Sequence, residues 1–203
     1  MKKIILIGAG GHCVSCIDVI ELGKKFSICG LIDNGNNKKL LNYKIIGRDS
    51  DLKNIFKKVQ YAFITLGQIK DFKIREEIFN KILKIGFIIP SIISPLSYVS
   101  SKAIVGEGSI VMHGAIVNAG AKIGKNCIIN SKALVEHNVT IEDNCHISTG
   151  ATINGDSEIK KNTFIGSCSV VKQNIKIGKN SFINANIFVD KDLKENSLVH
   201  EKQ

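Results

Sequence analysis

Apolar and polar positions follow two different rhythms along this chain, and the change falls near residue 90. From Val99 onward every sixth residue is Val or Ile: Val105, Val111, Val117, Ile123, Ile129, Val135, Ile141, Ile147, Ile153, Ile159, Ile165, Val171, Ile177, Ile183 and Val189, with Ile93 one step earlier. Four residues after each start the side chain is usually small, as at Ala103, Ala115, Ala121, Cys127, Ala133, Cys145, Ala151 and Ser169. One large β-branched residue and one small residue in every six predict a short strand followed by a tight inward corner. Three such sides close a triangular coil of eighteen residues, a solenoid in which each coil covers its neighbour. Asn126, Asn144, Asn162 and Asn180 then stack on one corner, and Asn138, Asp156, Asn174 and Asp192 on another. Asn and Asp tolerate the left-handed backbone that a sharp corner needs. Cys127 and Cys145 stack as well, which makes them core fillers.

The first ninety residues carry a βα rhythm instead. Residues 2 to 7 form an apolar run that predicts a buried strand, followed by Gly8-Ala9-Gly10-Gly11-His12 and a helix to about Leu22. A strand over Ser27 to Ile32 ends at Asp33, and a short helix is expected over Asp51 to Lys58. A strand over Tyr61 to Leu66 and a helix over Arg75 to Ile85 follow. Ile74, Ile78 and Ile82 share one face of that helix, and Gly86 ends it. The order β-α-β-α-β-α predicts a parallel sheet. The fold class is therefore an α/β N-terminal domain with a short parallel sheet, residues 1–90, followed by a parallel β-helix, residues 91–203. Pro90 and Pro95 flank the join.

Composition narrows the chemistry. The formal charge is +10, nearly all from lysine, which favours anionic partners. No basic patch is interleaved with aromatic residues, so nucleic acid is not expected, whereas a phosphate-bearing ligand is. Six cysteines are present, with no secretion signal ahead of them, so they read as free thiols of a cytoplasmic protein. Cys13 and Cys16 form a C-x-x-C without a second pair, so no metal site is expected. No apolar stretch is long enough to span a bilayer.

Two places hold candidate chemistry. The glycine loop between the first strand and helix aims backbone N–H groups and a positive helix end at a phosphate. Cys13 stands where the dinucleotide fingerprint wants a third glycine, and the segment is short for two nucleotide-binding halves. A single nucleotide, such as that of a sugar nucleotide, fits better. The second place is His137, in Val135-Glu136-His137-Asn138 on an outward corner, with Gly155 one coil further on. A neutral imidazole can take a proton from an amine or hydroxyl attacking a thioester. The glycine leaves its N–H open to hold the developing oxyanion.

Gly-Ala-Gly-Gly-His, Asn130-Ser131, Val135-Glu136-His137 and Cys145-His146-Ile147 together resemble the PglD/NeuD-like sugar acetyltransferases. These belong to the hexapeptide-repeat superfamily with a left-handed β-helix. The resemblance spans nearly the whole chain. It implies that His137 is the general base, that Gly155 supplies the oxyanion N–H, and that His146 helps place acetyl-CoA. It also sets the loop of Gly8, Gly10, Gly11 and His12 beside a nucleotide-linked sugar, with Asp33 at the end of the second strand. Asn130 matches a further active-site residue, and active sites lie between the subunits of a homotrimer. Gly166, at a corner further along, would let the pantetheine arm lie against the backbone.

There are two departures. Members of this family usually carry an acidic residue after the catalytic histidine, where this chain has Asn138. An amide cannot stabilise imidazolium by charge, so either Glu136 or a neighbouring subunit must compensate. The familiar Gly-Val-Pro-Ala ending is replaced by Leu198-Val199-His200-Glu201, so contacts to distal coenzyme A are expected to differ. The activity implied is transfer of acetyl from acetyl-CoA to the amine of a nucleotide-linked sugar, a UDP-linked 4-amino-4,6-dideoxy hexose, without a metal. Sugar O-acetylation of the sialic-acid type and a non-catalytic binding protein are the alternatives.

Overall fold

The computed structural model describes residues 1–69 and 72–200. It divides into two units, Met1–Pro90 and Ser91–Gln203.

The first unit runs β1 (Lys2–Ile7), α1 (Gly11–Gly23), β2 (Phe26–Ile32), β3 (Lys39–Leu40), β4 (Tyr43–Gly47), α2 (Leu52–Phe56), β5 (Tyr61–Ile64) and α3 (Lys73–Ile85). Its sheet has the order β3-β4-β2-β1-β5. Ile4 to Ile7 of the central β1 are all buried, as expected of a strand covered on both faces. β1 pairs parallel with β2 and β5, as the βα rhythm predicts. The sheet is nevertheless mixed. β4 joins parallel to β2, and β3 pairs antiparallel with β4. This edge hairpin turns through Leu41, whose φ of 50° is left-handed. Its strands are short and half-exposed, and its turn lacks the Asn-Gly or Asp-Gly signal that marks a hairpin in sequence.

In α3, Ile78 and Ile82 are buried as their spacing predicts, but Ile74 is 59% exposed and Arg75 is buried instead. The Arg75 guanidinium donates to the carbonyls of Ile64 at 2.9 Å and Leu66 at 2.7 Å. These carbonyls lie where the chain leaves β5, and the charged donor satisfies them inside the core. α3 ends at Gly86 with φ 105°, whose N–H bonds back to Ile82 and Leu83.

The second unit consists of two-residue strands, from Ile92–Ile93 to Leu198–Val199, in three parallel sheets. One side stacks Tyr98–Val99, Ile116–Val117, Leu134–Val135, Thr152–Ile153, Val170–Val171 and Phe188–Val189. The second runs from Ile104–Val105 to Lys176–Ile177, and the third from Ile92–Ile93 to Leu198–Val199. Up to the final coil each strand pairs with residues eighteen away, as in Leu134↔Thr152 and Val135↔Ile153. This is the left-handed parallel β-helix expected from the repeats. The second residue of each pair points inward, so Val117, Val135, Ile147, Ile153 and Ile165 are fully buried in one continuous core.

Corner residues carry the left-handed backbone as predicted: Asn126, Asn138, Asn144, Asp156, Asn162, Asn174 and Asn180 have φ between 55° and 62°. Asn126, Asn144, Asn162 and Asn180 form an amide ladder, each Nδ2 donating to the Oδ1 of the following coil at 2.9–3.2 Å. The final coil departs from the count. Phe182 pairs with Leu198 and Ile177 with Leu193, sixteen residues on. Asp192 therefore does not extend its ladder as a left-handed corner. Its Oδ1 accepts the Lys176 N–H at 2.8 Å instead.

Candidate active site

The corner between the first and second sides carries His137 and Gly155 on successive coils. The imidazole lies flat over the glycine. A Cβ added to Gly155 would stand 2.5 Å from His137 Cε1, 2.6 Å from Nε2 and 3.1 Å from Nδ1. Gly155 does not have a left-handed φ, and its hypothetical Cβ would meet the ring and nothing closer. The residue is glycine because of the imidazole above it. Gly155 is buried, and among the described residues its N–H donates to no acceptor, although its carbonyl accepts from Asn174. Buried backbone N–H groups without a partner are rare. This one sits beside the ring.

The other predicted neighbours divide. Glu136 Oε2 accepts from Asn118 Nδ2 at 3.0 Å and from the His137 backbone N–H at 3.3 Å, so this carboxylate ties two coils together. His137 Nδ1 faces Asn138 Nδ2 at 3.5 Å and Asp156 Oδ2 at 3.8 Å. Asp156, whose spacing marks it only as a turn residue, thus brings a carboxylate to the ring. The signal was available in the sequence: eighteen residues beyond Asn138 is one coil beyond it.

Asn130 and His146 meet elsewhere, where the third side turns toward the first. Asn130 Nδ2 lies 3.1 Å from His146 Nε2, and Asn130 Oδ1 accepts the Ser131 N–H at 2.8 Å. His146 is buried and packs edge-on against Phe164, ring centroids 5.2 Å apart. Gly166 follows on this corner, thirty-six residues beyond Asn130. A Cβ on Gly166 would strike the backbone of Asn184 and Ala185 in the next coil, so coil stacking alone already demands glycine there. Within one chain the whole first side separates this group from His137.

In the first unit, Gly8, Asp33, Asn34, Asp49, Leu66 and Glu77 line a cleft of about 290 Å³ at the carboxyl ends of β1, β2 and β5. That is where open α/β sheets take ligands. Gly8 has φ 100°, and a Cβ there would strike Leu66. Asp33 accepts the Ala9 N–H at 2.8 Å and the Gly35 N–H at 2.7 Å, so it braces the glycine loop. Gly10 and Gly11 have no such reason to be glycine: a Cβ on either meets open space. His12 lies in the first turn of α1, beside Gly67. All six cysteines are free. Burial pushes the thiols of Cys13, Cys16 and Cys145 up, which keeps them protonated. Among the described residues no three His, Cys, Asp or Glu side chains gather as a metal site, and no helix is long and apolar enough to cross a membrane.

Coil, corner and glycine loop together define a hexapeptide-repeat acyltransferase with an N-terminal α/β unit. Residues 3–82 match the PglD N-terminal domain, residues 120–155 the bacterial transferase hexapeptide (six repeats), and residues 159–191 the hexapeptide repeat of succinyl-transferase. Both units thus resemble those of the PglD/NeuD-like sugar acetyltransferases. No curated protein matches the sequence. Among solved structures, the acetyltransferase domain of PglB from Neisseria gonorrhoeae FA1090 in complex with acetyl coenzyme A superposes with a TM-score of 0.92. The two are 26% identical over 97% of this chain and 95% of that one. PerB from Caulobacter crescentus, in complex with CoA and GDP-perosamine, gives 0.91 at 25% identity over 98% and 93%. WeeI from Acinetobacter baumannii AYE shares the fold, at 0.85 and 23% identity over 98% and 97%.

Proposed function

We propose that this protein transfers acetyl from acetyl-CoA to the amine of a nucleotide-linked amino-deoxy sugar, a UDP-linked 4-amino-4,6-dideoxy hexose. The observation that carries the reading is the imidazole of His137 laid over a Gly155 that is glycine only to admit it. His137 takes the proton of the sugar amine as the nitrogen attacks the thioester carbonyl. The unpartnered Gly155 N–H meets the oxygen as it becomes an oxyanion, and coenzyme A leaves as its thiolate. The bound complexes of the PglB domain and PerB support acetyl-CoA as donor and a nucleotide-linked amino sugar as acceptor. Gly10 and Gly11, which nothing in the fold requires, leave room for a diphosphate to approach the start of α1.

The assembly in this reading is a homotrimer. The first side presents Tyr98, Ile116 and Phe188 outward, 59%, 39% and 63% exposed, and its two flanking corners carry His137 and the Asn130–His146 pair. Packing that apolar face against another copy sets the His137 corner of one subunit beside the His146 corner of the next. Purified protein is to be assayed with acetyl-CoA against UDP-, dTDP- and GDP-linked amino sugars and their hydroxyl counterparts, following thiol release. Turnover is expected on an amino sugar, and a fall of at least about a hundredfold in His137→Ala. Near-normal turnover by that variant removes the base assignment, and preference for a hydroxyl acceptor replaces N- by O-acetylation.

A further inference from the structure

We infer that Asp156, one coil below Asn138, is the positioning residue of His137 and supplies the negative charge missing from the position after the histidine. The inference rests on His137 being the base. If the base takes its proton at Nε2, Nδ1 must carry a hydrogen and needs an acceptor. Asn138 is adjacent, but its amide is held the wrong way round. Its Oδ1 lies against Gly120 in the coil before, so closely that a Cβ on Gly120 could not be accommodated. Its Nδ2 donates to Asp156 Oδ1 at 3.1 Å in the coil after. The neighbouring asparagine ladder has the same polarity, Nδ2 toward the following coil, so this orientation is the one the stack repeats. Flipping the amide would set its oxygen against the Asp156 carboxylate.

The group left to accept Nδ1–H is therefore Asp156 Oδ2, 3.8 Å away with both side chains about half exposed. A small turn of the ring closes that gap. Glu136, the other carboxylate beside His137, is held by Asn118 and by the backbone. Asn138 thus acts as a strut: its Oδ1 is turned to the coil behind, and its Nδ2 steadies the carboxylate.

The test exchanges the two residues. Asp156→Asn is expected to fold as the native chain does, because Asn138 and Asn174 already occupy the same left-handed corner on the coils either side. Its kcat should fall about tenfold or more with little change in KM. Adding Asn138→Asp restores one carboxylate, now next to the histidine, and should recover most of the lost rate at unchanged net charge. Full activity in Asp156→Asn overturns the inference, and so does a loss that the double variant does not repair, since a merely structural role would behave that way. Failure of the underlying reading looks different: His137→Ala would then stay active whatever stands at 156.

Discussion

Two glycines on the coil look alike in sequence and do different work. The nearest neighbour of a Cβ on Gly155 is an imidazole, whereas on Gly166 it is the backbone of the next coil. The same substitution should separate them. Gly155→Ala puts a methyl where the His137 ring lies. The ring can swing aside into solvent, so the melting temperature should hardly change, while kcat drops about a hundredfold as base and oxyanion donor lose register. Gly166→Ala has no flexible side chain to displace. The coils must part, at a cost of about 1–3 kcal/mol, and the melting temperature should fall. Thermal melts and turnover on the two purified variants check both. Equal destabilisation would refute the distinction.

The coil itself gains small increments from its polar second side. There Lys160 bridges Glu142 at 3.1 Å and Glu158 at 2.8 Å, and Lys176 reaches Glu158 at 3.3 Å. Hydrogen bonds from Lys160 and then Lys176 hold the Glu158 carboxyl below the usual carboxylate range. A carboxyl lowered in the folded state contributes stability above its unfolded pKa and loses it as pH falls through its folded value. Glu158 is nearly half exposed, so screening limits the contribution to about 0.5 kcal/mol. Glu158→Gln should therefore melt about 1–2 °C below the native protein at neutral pH. The gap should close below about pH 4, and 1 M salt should shrink it. A gap that persists at pH 3 would mean that packing, and not charge, is responsible.

This element was the most legible part of the chain, because a period of six with a β-branched residue in register leaves one closed shape available. What the period could not carry were the features that break it. The last coil takes sixteen residues, and the edge hairpin has too short an alternation and no glycine turn. Arg75 hides in the core by pairing with carbonyls that no sequence pattern announces. Asp156 is hidden for a different reason: Asn and Asp at a corner report the left-handed backbone, while the side chain also faces the coils above and below.

At the scale of the whole molecule, the residues of the proposed site are divided between two corners of one chain. His137 and Gly155 occupy one corner, Asn130, His146 and Gly166 another, and an entire side of the prism lies between them. If three copies pack through the apolar side, each site takes its base from one subunit and its acetyl-CoA contacts from the next, which makes the arrangement testable by complementation. His137→Ala and His146→Ala homotrimers should each be nearly inactive, for different reasons. Refolding or co-expressing the two together scatters the lesions at random. A site then works when its base comes from a His146→Ala subunit and its partner corner from a His137→Ala subunit, which holds for about a quarter of sites in a three-fold ring. Mixed preparations should recover about that fraction of native turnover, while mixing the already assembled trimers without dissociation should recover none. A mixture no more active than its parents, from two variants that each fold and sediment as trimers, would place both histidines in the service of the same subunit's site.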